Sequence, residues 1–154
     1  MLDLIGEYVC KVDVKGRLML PTDLRQQIPG VADDGLVIVR GFEKQLTIYP
    51  KEIWKAKVEK LSKLSEYDAK SRTFLRYLNQ GANPLKLDGA GRILFPKQLM
   101  DYAGITTDVT LTCLLTRIEV WNTKTYNSMM STLPEDFSAM AQDMLDNIEG
   151  RRDE

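Results

Sequence analysis

The chain repeats itself, and that constrains its fold more than any other property. Lys11-Val12-Asp13-Val14-Lys15-Gly16-Arg17-Leu18-Met19-Leu20-Pro21 lies over Lys86-Leu87-Asp88-Gly89-Ala90-Gly91-Arg92-Ile93-Leu94-Phe95-Pro96 at an offset of 75. Lys, Asp, Gly, Arg and Pro recur at matching places, and Leu24 matches Leu99. Further on the offset becomes 72: Leu46-Thr47-Ile48-Tyr49 faces Ile118-Glu119-Val120-Trp121, and Trp54 faces Tyr126. Three residues are lost between the blocks, which a connecting loop tolerates. Whatever one copy forms, the chain must form twice. Its 154 residues make one domain, or two small halves sharing a core.

Each copy predicts the same order of elements. A strand (Tyr8 to Val12; Pro84 to Leu87) enters an Asp-x-x-Gly-Arg turn, where glycine supplies positive φ and aspartate can bond the turn's own amides. An apolar strand (Leu18 to Leu20; Ile93 to Phe95) ends at a proline, which opens one or two helical turns over 21–25 and 96–100. Two hairpins come next: Gly35 to Arg40 with Gln45 to Tyr49, and Val109 to Leu114 with Arg117 to Trp121. Helices close the copies. Pro50 to Leu64 carries Ile53, Trp54, Val58, Leu61 and Leu64 at helical spacing; Ser65 reads as the cap of a second helix reaching Leu78. Thr123 to Ser131 is the counterpart in copy two, and Pro134 to Ile148 reads as a last helix before six frayed residues.

Composition removes several chemistries. No histidine is present, so no serine–histidine or cysteine–histidine pair and no histidine-ligated metal site can form. Cys10 and Cys113 are isolated thiols, expected reduced and buried as small hydrophobes. No apolar run reaches the roughly 20 residues of a membrane crossing, and the first residues lack the basic and apolar regions of a secretory signal, so a cytoplasmic protein is expected. Net charge is −1, yet residues 134–154 hold seven acids against Arg151 and Arg152, a net of −5, which leaves +4 on the first 133 residues. A mildly basic body with an acidic tail is compatible with nucleic acid.

Two Asp-x-x-Gly-Arg turns, each followed by apolar-x-apolar-Pro and spaced by a helical hairpin, resemble the MraZ family of bacterial transcriptional regulators. The resemblance runs from about Gly6 to Met130 and includes Arg40-Gly41 and Tyr49-Pro50. It implies an α+β fold: tandem AbrB-like swapped-hairpin units forming an intrachain pseudo-dimeric small β-barrel, with a linking helical hairpin and a C-terminal helix. Residues 1–80 would hold the first unit with the hairpin, 81–133 the second, and 134–154 an acidic tail outside the family core. It further implies a ring-like homo-oligomer, cytoplasmic and nucleoid-associated. Such a protein would bind short direct repeats in double-stranded promoter DNA and, as a rule, repress the division and cell-wall gene cluster. No enzyme activity, cofactor, metal, membrane or small-molecule ligand is expected.

The turns have a chemistry of their own. Arginine's rigid fork pairs bidentately with guanine O6 and N7 or with phosphate. The candidate DNA-binding residues are Lys11, Lys15, Arg17 and Arg25 in copy one, and Lys86, Arg92 and Lys97 in copy two. Asp13, Gly16, Asp88 and Gly91 are assigned to shaping the turns, because a carboxylate is a poor phosphate ligand. An intrachain ion pair with the aspartate four residues earlier is the competing role for Arg17 and Arg92. Copy two lacks side-chain donors at Gly89 and Ala90, so Arg92 would act without a neighbouring lysine. The lysines at 51, 55, 57, 60 and 63 read as a solvated helix face, and Tyr49, Trp54 and Trp121 as core or interface positions. The alternative function is a ring-forming protein-interaction module with vestigial DNA binding, which the thinned second turn and net negative charge favour.

Overall fold

A computed structural model describes residues 2–132 and 136–152. Copy one forms β1 (Glu7–Lys11), β2 (Arg17–Met19), α1 (Thr22–Gln26), α2 (Val31–Asp34), β3 (Leu36–Arg40), β4 (Leu46–Pro50), α3 (Lys51–Leu61) and α4 (Ala69–Gly81). Copy two forms β5 (Asn83–Leu85), β6 (Arg92–Leu94), α5 (Lys97–Ala103), β7 (Asp108–Leu114), β8 (Arg117–Asn122) and α6 (Thr123–Met130), with α7 (Phe137–Arg152) following. The fold is α+β, and every strand pairing is antiparallel.

The strands of the two copies interleave. A six-stranded sheet runs β1-β7-β8-β4-β3-β5, and β2 pairs with β6 in a separate two-stranded ribbon. Among the described residues, β3–β4 and β7–β8 are the strand pairings within a copy, with β1 and β2 meeting besides at the Val12–Leu18 bridge; β1–β7, β5–β3, β4–β8 and β2–β6 each join one copy to the other. A single copy would therefore leave strand edges unpaired, which is costly in a small sheet.

The core is built from repeat-equivalent positions: Leu24 with Leu99, Leu46 with Ile118, Ile48 with Val120, and Leu18 with Ile93 are all buried. Gln45, buried, ties the copies through a polar bridge: its Nε2 donates to Glu119 Oε2 at 2.9 Å and its Oε1 accepts from the Glu43 amide at 2.8 Å. Arg40 makes a second tie, its guanidinium 5.4 Å from the Tyr77 ring centre and 5.3 Å from that of Tyr102, whose hydroxyl donates to the Gly41 carbonyl at 2.7 Å. Residues 1–123 form one compact unit and 124–154 another, the latter holding the rest of α6 and α7. On α7, Phe137, Met140, Met144, Leu145 and Ile148 are exposed. Among the described residues no helix is long and apolar enough to cross a membrane.

Local details depart from the sequence reading. The cap of α4 is Asp68, not Ser65: its carboxylate accepts from the Ser71 amide at 3.1 Å and the Ser71 hydroxyl at 2.7 Å, while Ser65 Oγ only closes a small turn by accepting from the Tyr67 amide. A carboxylate facing the first-turn amides outcompetes a hydroxyl three residues too early. Helix α3 ends at Leu61, short of Leu64, and α7 continues to Arg152, through residues expected to fray. The expected start of that last helix at Pro134 lies outside the described residues, as do the last two residues of the tail. Short α2 has no counterpart in the sequence reading. Trp121 is buried, whereas Tyr49 and Trp54 are half-buried, ring centres 5.8 Å apart, and Cys10 and Cys113 are half-buried rather than enclosed. Lys57 is not wholly given to solvent, since its Nζ sits 5.1 Å from the Tyr49 ring centre.

Candidate nucleic-acid interface

Both Asp-x-x-Gly-Arg turns close by one hydrogen-bond scheme. In the first, the Asp13 amide donates to the Arg17 carbonyl at 2.9 Å and the Gly16 amide to the Asp13 carbonyl at 3.0 Å. Asp13 Oδ1 accepts from the amides of Lys15 and Arg17, both at 2.9 Å. In the second, Asp88 bonds Arg92, Gly91 and Ala90 in the same pattern, with distances of 2.8 to 3.0 Å. Gly16 at φ +86° and Gly91 at φ +81° supply the left-handed residue such a turn requires.

The second carboxylate oxygen reaches the arginine. Asp13 Oδ2 accepts from Arg17 Nε at 2.7 Å, and Asp88 Oδ2 from Arg92 Nε at 2.8 Å. The intrachain ion pair that competed with DNA contact is thus present in both copies. It engages only Nε, and the terminal guanidinium nitrogens have no protein partner among the described residues. Each aspartate therefore aims a guanidinium fork whose outer edge is open. Both carboxyls are held below the usual aspartate range, chiefly by the backbone amide of the arginine they orient, with the guanidinium itself adding to the effect.

The β2–β6 ribbon fixes how the two forks sit. Arg17 stands opposite Leu94, Leu18 opposite Ile93, and Met19 opposite Arg92. Strand side chains alternate between faces, so Leu18 and Ile93 enter the core with no exposed surface while Arg17, Met19, Arg92 and Leu94 share the outer face. The turns are stitched to the opposite strand as well: the Leu20 amide donates to the Gly91 carbonyl at 3.1 Å and the Phe95 amide to the Gly16 carbonyl at 2.9 Å. These two bonds, with the two aspartate–arginine bonds, join both turns and both arginines in one surface.

The remaining candidate residues divide. Lys15, exposed, is at the tip of turn one. Arg25, on α1 of copy one, belongs to turn two: a methyl group added at Gly91 would collide with its guanidinium. The equivalent place in turn one is filled by Met100, whose sulfur would lie 3.5 Å from a methyl at Gly16. Turn two, which lacks a lysine where turn one has Lys15, thus receives a cation from the other copy. That exchange was invisible in the sequence, where Arg25 groups with copy one. Lys11 is apart from this surface, its Nζ 3.9 Å from Asp108 Oδ1 with both side chains well exposed, a separation worth little in water. Lys86 runs beside Gly35, and Lys97 opens α5; both are exposed. Sequence reasoning passed over Met19 and Leu94. The available signal was the apolar-x-apolar spacing, whose middle residue must face outward when its neighbours are buried.

The comparisons agree with this architecture. The profile of the family described as "MraZ protein, putative antitoxin-like" matches twice, over residues 4–77 and 78–148. The chain is similar to the transcriptional regulator MraZ of Christiangramia forsetii, with 34% identity covering 96% of both chains. It is likewise similar to that of Flavobacterium psychrophilum, at 33% identity over 96% of this chain and 95% of the relative. The regulator of the same name from Clostridium tetani is 37% identical over 77% of this chain and 80% of its own length. These relatives are named as regulators, not as enzymes. Two profile matches that together span nearly the whole chain, on a fold whose two copies share one sheet, place this chain in the MraZ family.

Proposed function

We propose that this chain is a DNA-binding transcriptional regulator that uses the β2–β6 ribbon and its two turns as one recognition surface. The observation that carries the reading is the twin arrangement in which aspartate grips Nε of arginine and leaves the outer guanidinium edge open. A fork already fixed loses little side-chain entropy on meeting a base or phosphate. Relatives of the chain named as transcriptional regulators support the same reading.

Roles follow from position. Arg17 and Arg92 read guanine edges, Lys15 and Arg25 meet phosphate beside turn one and turn two, and Lys11, Lys86 and Lys97 add outlying positive charge. Asp13, Gly16, Asp88 and Gly91 shape the turns without touching DNA. Copies of the chain assemble into a ring, so that successive surfaces engage short direct repeats with high effective concentration. The regulated genes are the division and cell-wall cluster, the action is repression, and the site of action is the cytoplasmic nucleoid.

The test is a salt titration of binding to the DNA upstream of this chain's own gene, beside a shuffled duplex. Preference for the native sequence, with a log–log salt slope of about −0.9 per phosphate neutralised, is expected. Arg17→Lys and Arg92→Lys keep the charge and lose the fork, so each relaxes sequence discrimination by roughly 1–3 kcal/mol. Lys15→Ala weakens both duplexes alike and flattens the slope by about 0.9. Equal weak binding to both duplexes by the parent chain overturns the reading and favours a protein-interaction module.

A further inference from the structure

We propose that Met19 and Leu94 are specificity determinants that read thymine methyl groups, set between the two arginines on a ribbon that enters the major groove. The inference rests on the DNA-binding reading above and adds to it a recognition chemistry that the arginines cannot supply.

The two residues put apolar side chains at the exposed positions of their strands. Leu18 and Ile93 are fully buried, yet Met19 and Leu94, opposite Arg92 and Arg17 in the register, are 51% and 56% exposed. They occupy equivalent places in the two copies, so exposed apolar surface is presented twice on the outer face. Leu94 leans toward turn one: its Cδ1 would lie 3.6 Å from a methyl at Gly16, and it stands opposite Arg17 in the ribbon.

Dimensions favour one groove. Three residue pairs make a ribbon about 10 Å long, and the major groove is about 12 Å wide and admits a two-stranded β-ribbon, whereas the minor groove is about 6 Å wide. In the major groove the only methyl group on any base edge is the thymine C5-methyl, and guanine offers the O6/N7 pair that suits a fork. A face that alternates guanidinium and apolar side chains is therefore complementary to sites in which thymine stands next to guanine. A surface meant only for phosphate would have no use for the apolar pair, because phosphate contact carries no sequence information.

Replacing thymine by deoxyuridine removes the methyl and nothing else, which gives a clean test. Anisotropy titrations at fixed salt would compare the upstream duplex with versions carrying deoxyuridine at each thymine in turn. At one or more positions inside the bound site the parent chain should bind about fourfold more weakly per methyl lost. The Met19→Gln and Leu94→Gln variants, polar but similar in length, should bind thymine and deoxyuridine duplexes equally at the affected positions. Parent binding that stays sequence-specific but ignores every deoxyuridine overturns the methyl reading and leaves DNA recognition standing. Absence of any sequence preference overturns both. If the glutamine variants change the mass of the assembly in solution while the deoxyuridine response persists, the apolar pair is a subunit contact and the proposal fails.

Discussion

Gly91 and Gly89 are two residues apart in the same turn, yet they differ sharply in what they permit. Gly91 sits at φ +81° with the Arg25 guanidinium against it, whereas a methyl at Gly89 would meet nothing. Gly91→Ala is expected to destabilise the chain by roughly 1–2 kcal/mol in urea denaturation and to expel Arg25 from turn two. Gly89→Ala should stay within about 0.5 kcal/mol of the parent. The turn aspartates have a different vulnerability. Because their folded-state carboxyls are held below the ordinary range, their contribution is present at neutral pH and is lost as pH falls through the depressed value. DNA affinity corrected for nonspecific binding should therefore be insensitive to these two groups from pH 8 down to about 5, and should fail on acidification below the ordinary aspartate range near 3.9. Asp13→Asn and Asp88→Asn variants would show the loss of arginine aim already at neutral pH.

Among the elements, the β2–β6 ribbon has one face packed into the core and one exposed to solvent, the latter being the proposed DNA-binding face. Leu18 and Ile93 close the core and have no exposed surface, so Leu18→Ala or Ile93→Ala should cost roughly 2–5 kcal/mol in chemical denaturation. Met19→Ala and Leu94→Ala, one residue away, should change stability by under about 0.5 kcal/mol while altering DNA affinity. This division was legible in part. The apolar-x-apolar-Pro pattern placed two inward side chains, but three-residue strands are too short for alternation to say whether the middle residue meets solvent or another layer. Helix α4 illustrates the opposite failure: Ser65 and Asp68 are both good caps, and only the geometry of the connecting turn selects the carboxylate.

For the whole molecule, interleaved strands make the copies mutually dependent. Ile48 of β4 pairs with Ile118 of β8, and the β1–β7 and β3–β5 pairings also cross between copies. Residues 1–123 should accordingly unfold in one cooperative transition, with Ile48→Ala lowering native-state hydrogen-exchange protection in β8 of copy two as much as in β3 of copy one. Two separate calorimetric transitions within the sheet unit would contradict this. Interleaving also explains the surface: the ribbon takes one strand from each copy and so brings the two turns to one face, where Arg25 of copy one reaches Gly91 of copy two.

Residue order alone dictates the duplication, the succession of elements apart from α2, the two Asp-x-x-Gly-Arg turns and the glycines they need, because these follow from local rules: residue spacing, positive φ, and the short reach of an aspartate to its own amides. It also supplied both candidate roles of Arg17 and Arg92, which prove compatible since the ion pair consumes only Nε. Packing of the two copies settles which cation belongs to which turn, that Lys11 faces Asp108 instead of the turn surface, and that Met19 and Leu94 share a face with the arginines. Those outcomes depend on pairings between residues far apart in the chain, 75 positions for Leu18 with Ile93 and 97 for Lys11 with Asp108. Pattern along a chain reports which face a residue prefers; which other chain segment completes that face is fixed by packing the two copies around one shared core.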